Sequence, residues 1–459
     1  MTTRTETDSL GEVQVPRSAL YGAQTQRALN HAQIVPRRTM PPPFLHAMAL
    51  LKSAAAQANA KVDALSPALA AAIVEAAEAV ASGHHDDAFP VPVFQTGSAT
   101  SSNMNMNEVL ASLASRALGE RVHPNDHVNC SQSSNDVVPS ATAIAAAREI
   151  RTRLLPALGQ LEEVLCRRGD ELEAVVKTGR THLMDAMPVT LGFELRTWGA
   201  QLQDCRQRLA DLQPRLCALA IGGSAVGTGV NVPPGYVEAL LERLSARVGF
   251  SLTAAAVPAT RMAAQETAVE CSGVLRSIAL VLIKMGNDLR WMNSGPLAGL
   301  GELQLEALQP GSSIMPGKVN PVIPEAVLMA ATEVLGNDAT VALAAQSGNF
   351  QLNVMLPLIA DKLLGSIALL TGSCASMTDC LAGLQPLADH AAATLARNPV
   401  LVTALNPEIG YEAAAAIAKR AVAEGRPVLD VAEEDTGMSR DTLARLLDPG
   451  PLARGNHGE

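Results

Sequence analysis

Aromatic residues are scarce in this chain. They make up 2% of its 459 residues, whereas hydrophobic residues make up 48%. The core must therefore be built mainly from Ala, Leu, Val and Ile. Alanine-rich sequence favours helices, and a low aromatic content argues against a β-sandwich. We expect a protein of the all-α class, long enough for more than one domain.

Positive charge is also sparse. The formal net charge is −10, and no stretch forms a basic stripe, which argues against nucleic acid as a partner. The continuous apolar runs, such as Ile278–Ile283, are far shorter than the roughly 18 residues of a membrane span. We therefore expect no association with a membrane.

Paired cysteines and a signal sequence are two further features that we do not find. The cysteines number seven and include no CxxC pair, so we interpret them as reduced thiols. The first residues, MTTRTETDSLGE, lack the apolar stretch of a signal peptide. Both observations predict a cytoplasmic protein.

Helical periodicity is abundant after a polar arm at residues 1–44. One apolar stripe at helical spacing predicts a long helix; it comprises Leu154, Leu158, Leu161, Leu165, Leu172 and Val175. Similar texture covers residues 190–217, 262–292 and 323–345. Long helices joined by short loops favour a bundle. We predict an N-terminal domain (1–136), a central long-helix bundle domain (137–388) and a small C-terminal helical domain (389–459).

Five polar segments interrupt the apolar helices, each dense in Ser, Thr, Asn or His. They are residues 97–107, 123–136, 179–185, 222–231 and 311–320. Short side-chain donors and the N–H groups at helix starts bind carboxylates without a net positive field. Any one segment taken alone is explained better as helix caps and turns. Five together favour a shared site for a small carboxylate.

The segment GSSIMPGKVNP, residues 311–321, carries the densest set of functional groups. Its glycines are suited to hinges of a lid. Ser312, near Lys318 and helix N-termini, would ionise more readily than a free serine and act as a base. Lys318 would pair with a carboxylate, and Asn320 would add a neutral donor. The alternative is a surface turn with a solvated lysine.

Two further titratable residues suggest acid–base chemistry. His182 follows Thr181, and Glu325 lies just beyond the loop in apolar sequence. A His–Glu pair would activate water or assist a leaving group, although a structural histidine is about equally common. The run His84–Asp87 matches no common spacing of metal ligands. The glycines of GGSAVGTG lack a following Walker lysine, which argues against nucleotide binding.

The loop GSSIMPGKVNP resembles the signature of the fumarase/aspartase superfamily. Other segments resemble the family and occur along this chain in the same order as in the family. They are GEVQVPRSALYGAQTQRAL, QTGSATSSNMNMNEV, VHPNDHVNCSQSSND, GRTHLMDAMPVTLG, GGSAVGTGVN, SGPLAGLGE, GNFQLNV and LVTALNPEIGY. The resemblance therefore covers nearly the whole chain. It implies a three-domain, nearly all-α subunit that forms a homotetramer, with each active site shared by three subunits.

The resemblance also implies roles for single residues. Ser312 matches the general base that removes a proton next to a carboxylate, and the loop matches a mobile catalytic loop. Lys318, Asn320 and Thr181 would stabilise the resulting aci-carboxylate. His182 matches a histidine paired with a glutamate, here Glu325, on the leaving-group side.

Binding residues are implied in the same way. The carboxylate-binding positions are matched by Thr100, Ser133, Ser134 and Asn135, and a further polar position by Ser98. The secondary anion site of fumarases is matched by His123, Asn125 and Asp126. The substrate would be a small dicarboxylate. No metal or organic cofactor is implied.

Different segments resemble different enzymes of the superfamily. The N-terminal arm, SSND and HPNDHVN resemble fumarases, whereas NPVIPEAV and FQLNVM resemble aspartases. Positions that depart from the usual residues are Ala99, Cys130, Met184, Met187, Phe193 and Leu297. We predict a hydro-lyase that interconverts fumarate and (S)-malate. The alternatives are an aspartate ammonia-lyase, a lyase for a substituted fumarate, and a non-catalytic scaffold.

Overall fold

The computed structural model describes residues 2–31, 34, 38–311 and 313–454. It is mostly helical, which confirms the expected fold class. The α-helices are α1 (Ala23–His31), α2 (Pro42–Lys61), α3 (Pro67–Ala81), α4 (Thr100–Leu118), α5 (Ser134–Glu149), α6 (Leu155–Glu171), α7 (Leu191–Leu216), α8 (Tyr236–Val248), α9 (Ala259–Ala263), α10 (Glu266–Met292), α11 (Val322–Ala345), α12 (Leu356–Ala382), α13 (Ala388–Leu395), α14 (Asn406–Ile409), α15 (Tyr411–Glu424), α16 (Val428–Thr436), α17 (Arg440–Leu446) and α18 (Pro449–Arg454).

Short strands accompany the helices, and the sequence analysis did not predict them. They are β1 (Thr3–Asp8), β2 (Gly11–Pro16), β3 (Val176–Thr181), β4 (Met184–Thr190), β5 (Ala218–Leu219), β6 (Thr253–Ala254), β7 (Leu303–Gln304), β8 (Gly348–Asn349), β9 (Leu352–Asn353) and β10 (Gln385–Pro386). The pairs β1–β2, β3–β4, β8–β9 and β7–β10 are antiparallel, and β5–β6 is parallel. Each sheet has two strands, so helices provide most of the structure.

The helical spans predicted at 190–217, 262–292 and 323–345 are confirmed as α7, α10 and α11, within a few residues at each end. The apolar stripe predicted to form one long helix corresponds mainly to α6. That helix ends at Glu171, so the last two members of the stripe lie beyond it. The helix stops there because the chain turns into strand β3.

Contacts within the chain define two compact units. The first comprises residues 1–156, 206–279 and 332–371. In it, α2 contacts α3, α5 and α8. Helix α2 is rich in alanine, and most of its residues are buried. Prolines at its start are pre-set for the first turn of a helix.

The N-terminal arm is a hairpin, β1–β2, followed by α1. The carboxylate of Glu108 in α4 binds the start of α1. Glu108 accepts hydrogen bonds from the N–H groups of Gly22, Gln24 and Thr25, at 2.9, 2.8 and 3.2 Å. It also accepts from the Thr25 hydroxyl at 2.6 Å. A carboxylate at a helix N-terminus satisfies otherwise unpaired donors and interacts favourably with the helix dipole.

The second unit comprises residues 157–205, 280–331 and 372–459. It contains the β3–β4 hairpin and a cluster of short C-terminal helices. These helices share an apolar core that includes Leu405, Val431 and Leu443, all fully buried. The two units are discontinuous in sequence and do not test the predicted domain boundaries after residues 136 and 388, which stay predictions.

Two long helices are unusually apolar. Within the part of the chain that the structure describes, α11 and α12 are long and apolar enough to cross a membrane, by length and composition alone. Core helices of soluble proteins meet the same criterion. Only 33% of the apolar window of α11 is buried in the single chain. This helix therefore presents an uncovered apolar face.

Candidate active site

The first predicted binding segment lies at the start of α4. The hydroxyl oxygens of Ser98 and Thr100 are 2.8 Å apart. Between them Ala99 is fully buried and has a φ of 55°, in the left-handed region. Gly97 lies against another loop of the same unit: a Cβ there would come within 1.8 Å of the Val354 carbonyl oxygen. Only glycine permits this approach, which fixes the two hydroxyls at the helix N-terminus.

The second segment caps α5. The Ser133 hydroxyl accepts from the Asn135 N–H at 3.2 Å, and Asp136 accepts from the Ser133 N–H at 3.0 Å. This reciprocal pair is a capping box. The sequence analysis did not single out Asp136, although the pattern S-x-x-D was a signal for it.

Asp136 also joins the second segment to the glycine-rich one. Its other carboxylate oxygen accepts from the N–H groups of Gly222 and Ser224 at 3.2 and 2.9 Å. The Asn135 side-chain amide donates to the Ala225 carbonyl oxygen at 2.8 Å. Burial raises the pKa of Asp136 to about 6, and these hydrogen bonds oppose the rise.

A third contact joins the first two segments. Asn103 of α4 donates from its side-chain amide to the Ser134 hydroxyl oxygen at 3.0 Å. Three of the five polar segments therefore meet within the first unit, where Ser98, Thr100, Ser133, Ser134 and Asn135 had been predicted as binding residues. Hydroxyl and amide groups at the N-termini of two helices form a site suited to a carboxylate.

Thr181 and His182 lie in the second unit, at the tip of the β3–β4 hairpin. Thr181 pairs with Met184, and His182 and Leu183 form the turn with φ of 57° and 60°. Positive φ at both turn residues is the type I′ geometry that suits a two-residue hairpin. All four residues are exposed in the single chain.

Buried charges hold the base of this hairpin, and the sequence analysis missed them. Lys177, only 2% exposed, lies 3.0 Å from a carboxylate oxygen of Glu194 and 3.2 Å from one of Glu302. Arg180 lies 2.7 Å from the other oxygen of Glu302. Burial raises the pKa of Glu194, and Lys177 opposes this. The contacts join β3 to the SGPLAGLGE segment, which the sequence analysis used only for the family resemblance.

The loop 311–321 also lies in the second unit. Ser312, the predicted base, lies outside the described residues. Lys318 donates from its ammonium to the Asn320 side-chain oxygen at 2.7 Å, and both residues are near the surface. Gly311 has a φ of 87° and bridges to Pro316, and a Cβ on it would come within 2.0 Å of the Lys318 carbonyl oxygen. The loop therefore folds back on itself.

Glu325 lies in the first turn of α11 and is half-buried. No hydrogen bond or ion pair joins it to His182 among the described residues of one chain. The structure of a single chain thus does not bring the predicted His–Glu pair together.

The residues predicted as a secondary anion site occupy the turn before α5. The His123 ring accepts through Nδ1 from the N–H groups of Asn125 and Asp126, at 3.3 and 3.0 Å. The same Nδ1 atom lies 3.1 Å from a carboxylate oxygen of Asp126. The ring borders a cavity of about 770 Å³. Arginines that line this cavity are Arg4, Arg17, Arg116 and Arg121.

The departures from the family pattern lie in different surroundings. Ala99 is fully buried, whereas Cys130 and Met187 are half-buried. Exposed in the single chain are Met184, Phe193 and Leu297. Among the described residues, no group of three or more His, Cys, Asp or Glu side chains is arranged to hold a metal ion.

Comparison with known proteins gives matches along the whole chain. A family model described as "Lyase" matches residues 11–336, and one described as "Fumarase C C-terminus" matches residues 401–454. "Fumarate hydratase class II 2" of Pseudomonas aeruginosa is 53% identical and covers 99% of each chain. The class II fumarate hydratase of Mycobacterium tuberculosis is 48% identical and covers 98% of this chain and 96% of its own.

A solved structure agrees with these matches. The crystal structure of a class II fumarase from Schistosoma mansoni has a TM-score of 0.96 at 37% identity, covering 98% of this chain and 99% of its own. The chain therefore belongs to the fumarase/aspartase superfamily of lyases. Within that superfamily it is similar to class II fumarate hydratases over almost its entire length.

Proposed function

We propose that the protein is a class II fumarate hydratase, a hydro-lyase that interconverts fumarate and (S)-malate. The observation that carries the proposal is the union of three polar segments at the N-termini of α4 and α5, in a chain 53% identical to a class II fumarate hydratase. Such a site offers hydrogen-bond donors to a carboxylate without adding full charges.

The residues support a proton-abstraction mechanism. In the dehydration direction the Ser312 oxygen takes the C3 proton of malate, and the electron pair moves into the adjacent carboxylate. Lys318, Asn320 and Thr181 stabilise the resulting aci-carboxylate dianion, where charge develops. The C2–oxygen bond then breaks, and the hydroxyl leaves as water with a proton from the His182–Glu325 pair.

A homotetramer with active sites shared by three subunits is part of the proposal. Three observations support it: the hairpin tip that bears His182 is exposed, Glu325 does not reach it within one chain, and α11 presents an uncovered apolar face. Contact between copies would supply the missing neighbours. We also place the protein in the cytoplasm, an assignment that its free, mostly buried cysteines support.

Proton NMR of fumarate incubated with the purified protein in the presence of ammonium tests this proposal. We expect (S)-malate as the main product. Aspartate would instead identify an ammonia-lyase. If the folded protein forms neither product, the hydratase assignment is wrong, and methylated fumarates become the next substrates to assay.

A further inference from the structure

We propose that Asn103 is a positioning residue that fixes the Ser134 hydroxyl as a hydrogen-bond donor toward the substrate carboxylate. The inference rests on the proposed function, in which Ser134 binds a carboxylate. It adds a residue of α4 that acts on the substrate only through another side chain.

The chemistry of a hydroxyl group gives the first step. A serine hydroxyl has one hydrogen and two lone pairs. Asn103, 1% exposed, donates its amide N–H to the Ser134 oxygen at 3.0 Å. This bond occupies a lone pair and leaves the hydroxyl hydrogen to point elsewhere. A carboxylate only accepts hydrogen bonds, so it requires a donor in this place.

Hydrogen bonds that converge on the side chain of Asn129 determine which way the Asn103 amide faces. The Asn129 side-chain oxygen accepts from Asn103 and Asn107, each at 3.2 Å, and from the Lys52 ammonium at 3.0 Å. The Asn129 amide donates to the Gln132 carbonyl oxygen at 3.2 Å, and a carbonyl oxygen can only accept. The Asn129 side-chain oxygen must therefore face the other three groups, so Asn103 presents its amide N–H groups and not its oxygen.

The backbone just before Ser134 is held by several hydrogen bonds. Asn59 donates to the Cys130 carbonyl oxygen at 3.0 Å and accepts from the Ser131 hydroxyl at 2.6 Å. Asp136 holds the Ser133 N–H at 3.0 Å. Although the main chain is fixed, the Ser134 hydroxyl can still rotate, and the hydrogen bond from Asn103 restricts that rotation.

Asn105 provides a matched control on the same helix. It is 1% exposed, like Asn103, and donates its amide to the Ala88 carbonyl oxygen at 3.1 Å. In both asparagines the side-chain oxygen is buried without a hydrogen-bond partner among the described residues. The two residues thus match in burial and in their unpaired oxygen. Asn103 donates two side-chain hydrogen bonds and Asn105 donates one, and only Asn103 bonds to Ser134.

The test is a double-mutant cycle in which the inhibition constant of succinate, a saturated dicarboxylate, is measured for each variant. Asn103→Leu and Ser134→Ala should each raise the inhibition constant of succinate about tenfold, the effect of losing one hydrogen bond to a charged group. The double variant should bind no more weakly than the worse single variant. Asn105→Leu should change the constant by less than about twofold.

Asn103→Asp is a second variant that keeps the size of the side chain. Its carboxylate would accept the Ser134 hydrogen and turn it from the substrate. Succinate binding should therefore weaken more in the wild-type background than in Ser134→Ala, where only repulsion by the added charge acts. Circular dichroism and size-exclusion chromatography establish that each variant folds and assembles. If Asn103→Leu does not fold, Asn103→Asp replaces it in the double-mutant cycle with Ser134→Ala.

Two outcomes overturn the inference. Multiplying effects in the double variant would show that Asn103 acts independently of Ser134, and an equal effect of Asn105→Leu would show a general loss of packing. The proposed function fails differently, through absence of fumarate hydration by the wild-type protein. In that case titration calorimetry with succinate measures the same coupling without turnover.

Discussion

His182 occupies a backbone conformation that few histidines adopt. Both it and Leu183 have positive φ at the hairpin tip, which costs on the order of 1–3 kcal/mol per non-glycine residue. Asparagine or glycine would relieve the strain. Strain of this kind is concentrated at functional sites, which agrees with the proposed role of His182 in proton transfer.

The variant His182→Asn separates chemistry from folding. Asparagine tolerates positive φ better than histidine does, so we expect the free energy of unfolding to stay the same or to rise by up to about 1 kcal/mol as strain is relieved. Loss of acid–base catalysis should lower kcat by a hundredfold or more. His84→Asn, an exposed histidine elsewhere, is the control for both measurements. A kcat within tenfold of wild type would refute the assignment.

Lys52 gives the stability a defined pH dependence. Burial lowers the pKa of Lys52 from 10.5 to about 7, and Asp136 opposes this change. Between these two pH values the unfolded chain binds a proton that the folded chain does not. The free energy of unfolding should therefore rise with pH from about 7 towards 10, because protonation of Lys52 stabilises the unfolded state less and less as pH rises.

Comparison with Lys52→Met isolates this contribution. We expect the free energy of unfolding of the wild type, relative to the variant, to increase from pH 8 to pH 10. Urea titrations at a fixed protomer concentration measure it, since stability of an oligomer depends on concentration. A relative stability that is flat or falls with pH over this range would show that the buried lysine stays protonated.

At the scale of elements, the loop 311–321, the proposed catalytic loop, contains two glycines that differ in surroundings. Gly311 and Gly317 have φ of 87° and 84°, so alanine is strained at either position. A Cβ on Gly311 would come within 2.0 Å of the Lys318 carbonyl oxygen, whereas a Cβ on Gly317 would meet nothing within 4 Å. The difference between the two positions is therefore one of space.

Gly311→Ala should displace the backbone of Lys318 and lower kcat by about tenfold or more, because a small misplacement of a binding group is costly for catalysis. Gly317→Ala introduces backbone strain at positive φ without a steric clash, so it should retain most of the activity. Steady-state kinetics on fumarate, with thermal unfolding as a check on folding, compares them. Equal losses would mean that the Lys318 contact is unimportant.

The elements also show what a sequence reveals. Spans such as α7 and α10 were predictable because apolar residues recur at helical spacing over many turns. The β3–β4 hairpin was missed because its turn is His182-Leu183 and lacks the Asn-Gly signal of such turns.

The sequence singled out Ser133 to Asn135 through a polar segment and its resemblance to a family, and their binding role stays a prediction. Their support by Asn103 and Asp136 depends on contacts between segments distant in sequence, which local patterns do not contain.

At the scale of the whole molecule, α11 is the element that a single chain leaves unsatisfied. Met329 and Leu343 are 69% and 63% exposed. Other exposed residues on the helix include Ala326, Gly336, Ala339 and Ala342. Small residues let helices approach closely, and a large exposed apolar patch marks an interaction site. This face is suited to contact with another copy.

Met329→Glu tests that assembly. A charge buried between subunits without a partner costs several kcal/mol, so the variant should dissociate to smaller species. Because the proposed active sites are shared between subunits, activity should fall in proportion to the lost tetramer. Val422→Glu places the same charge on an exposed valine of α15 and should leave mass and kcat unchanged.

Analytical ultracentrifugation and fumarate hydration, measured at the same protein concentrations, relate assembly to turnover. Recovery of activity as concentration restores the tetramer would tie catalysis to contact between copies, and so explain why one chain holds Glu325 apart from His182. A Met329→Glu protein that dissociates and yet keeps full turnover would place the whole active site within one subunit. A variant that stays tetrameric would remove α11 from the interface.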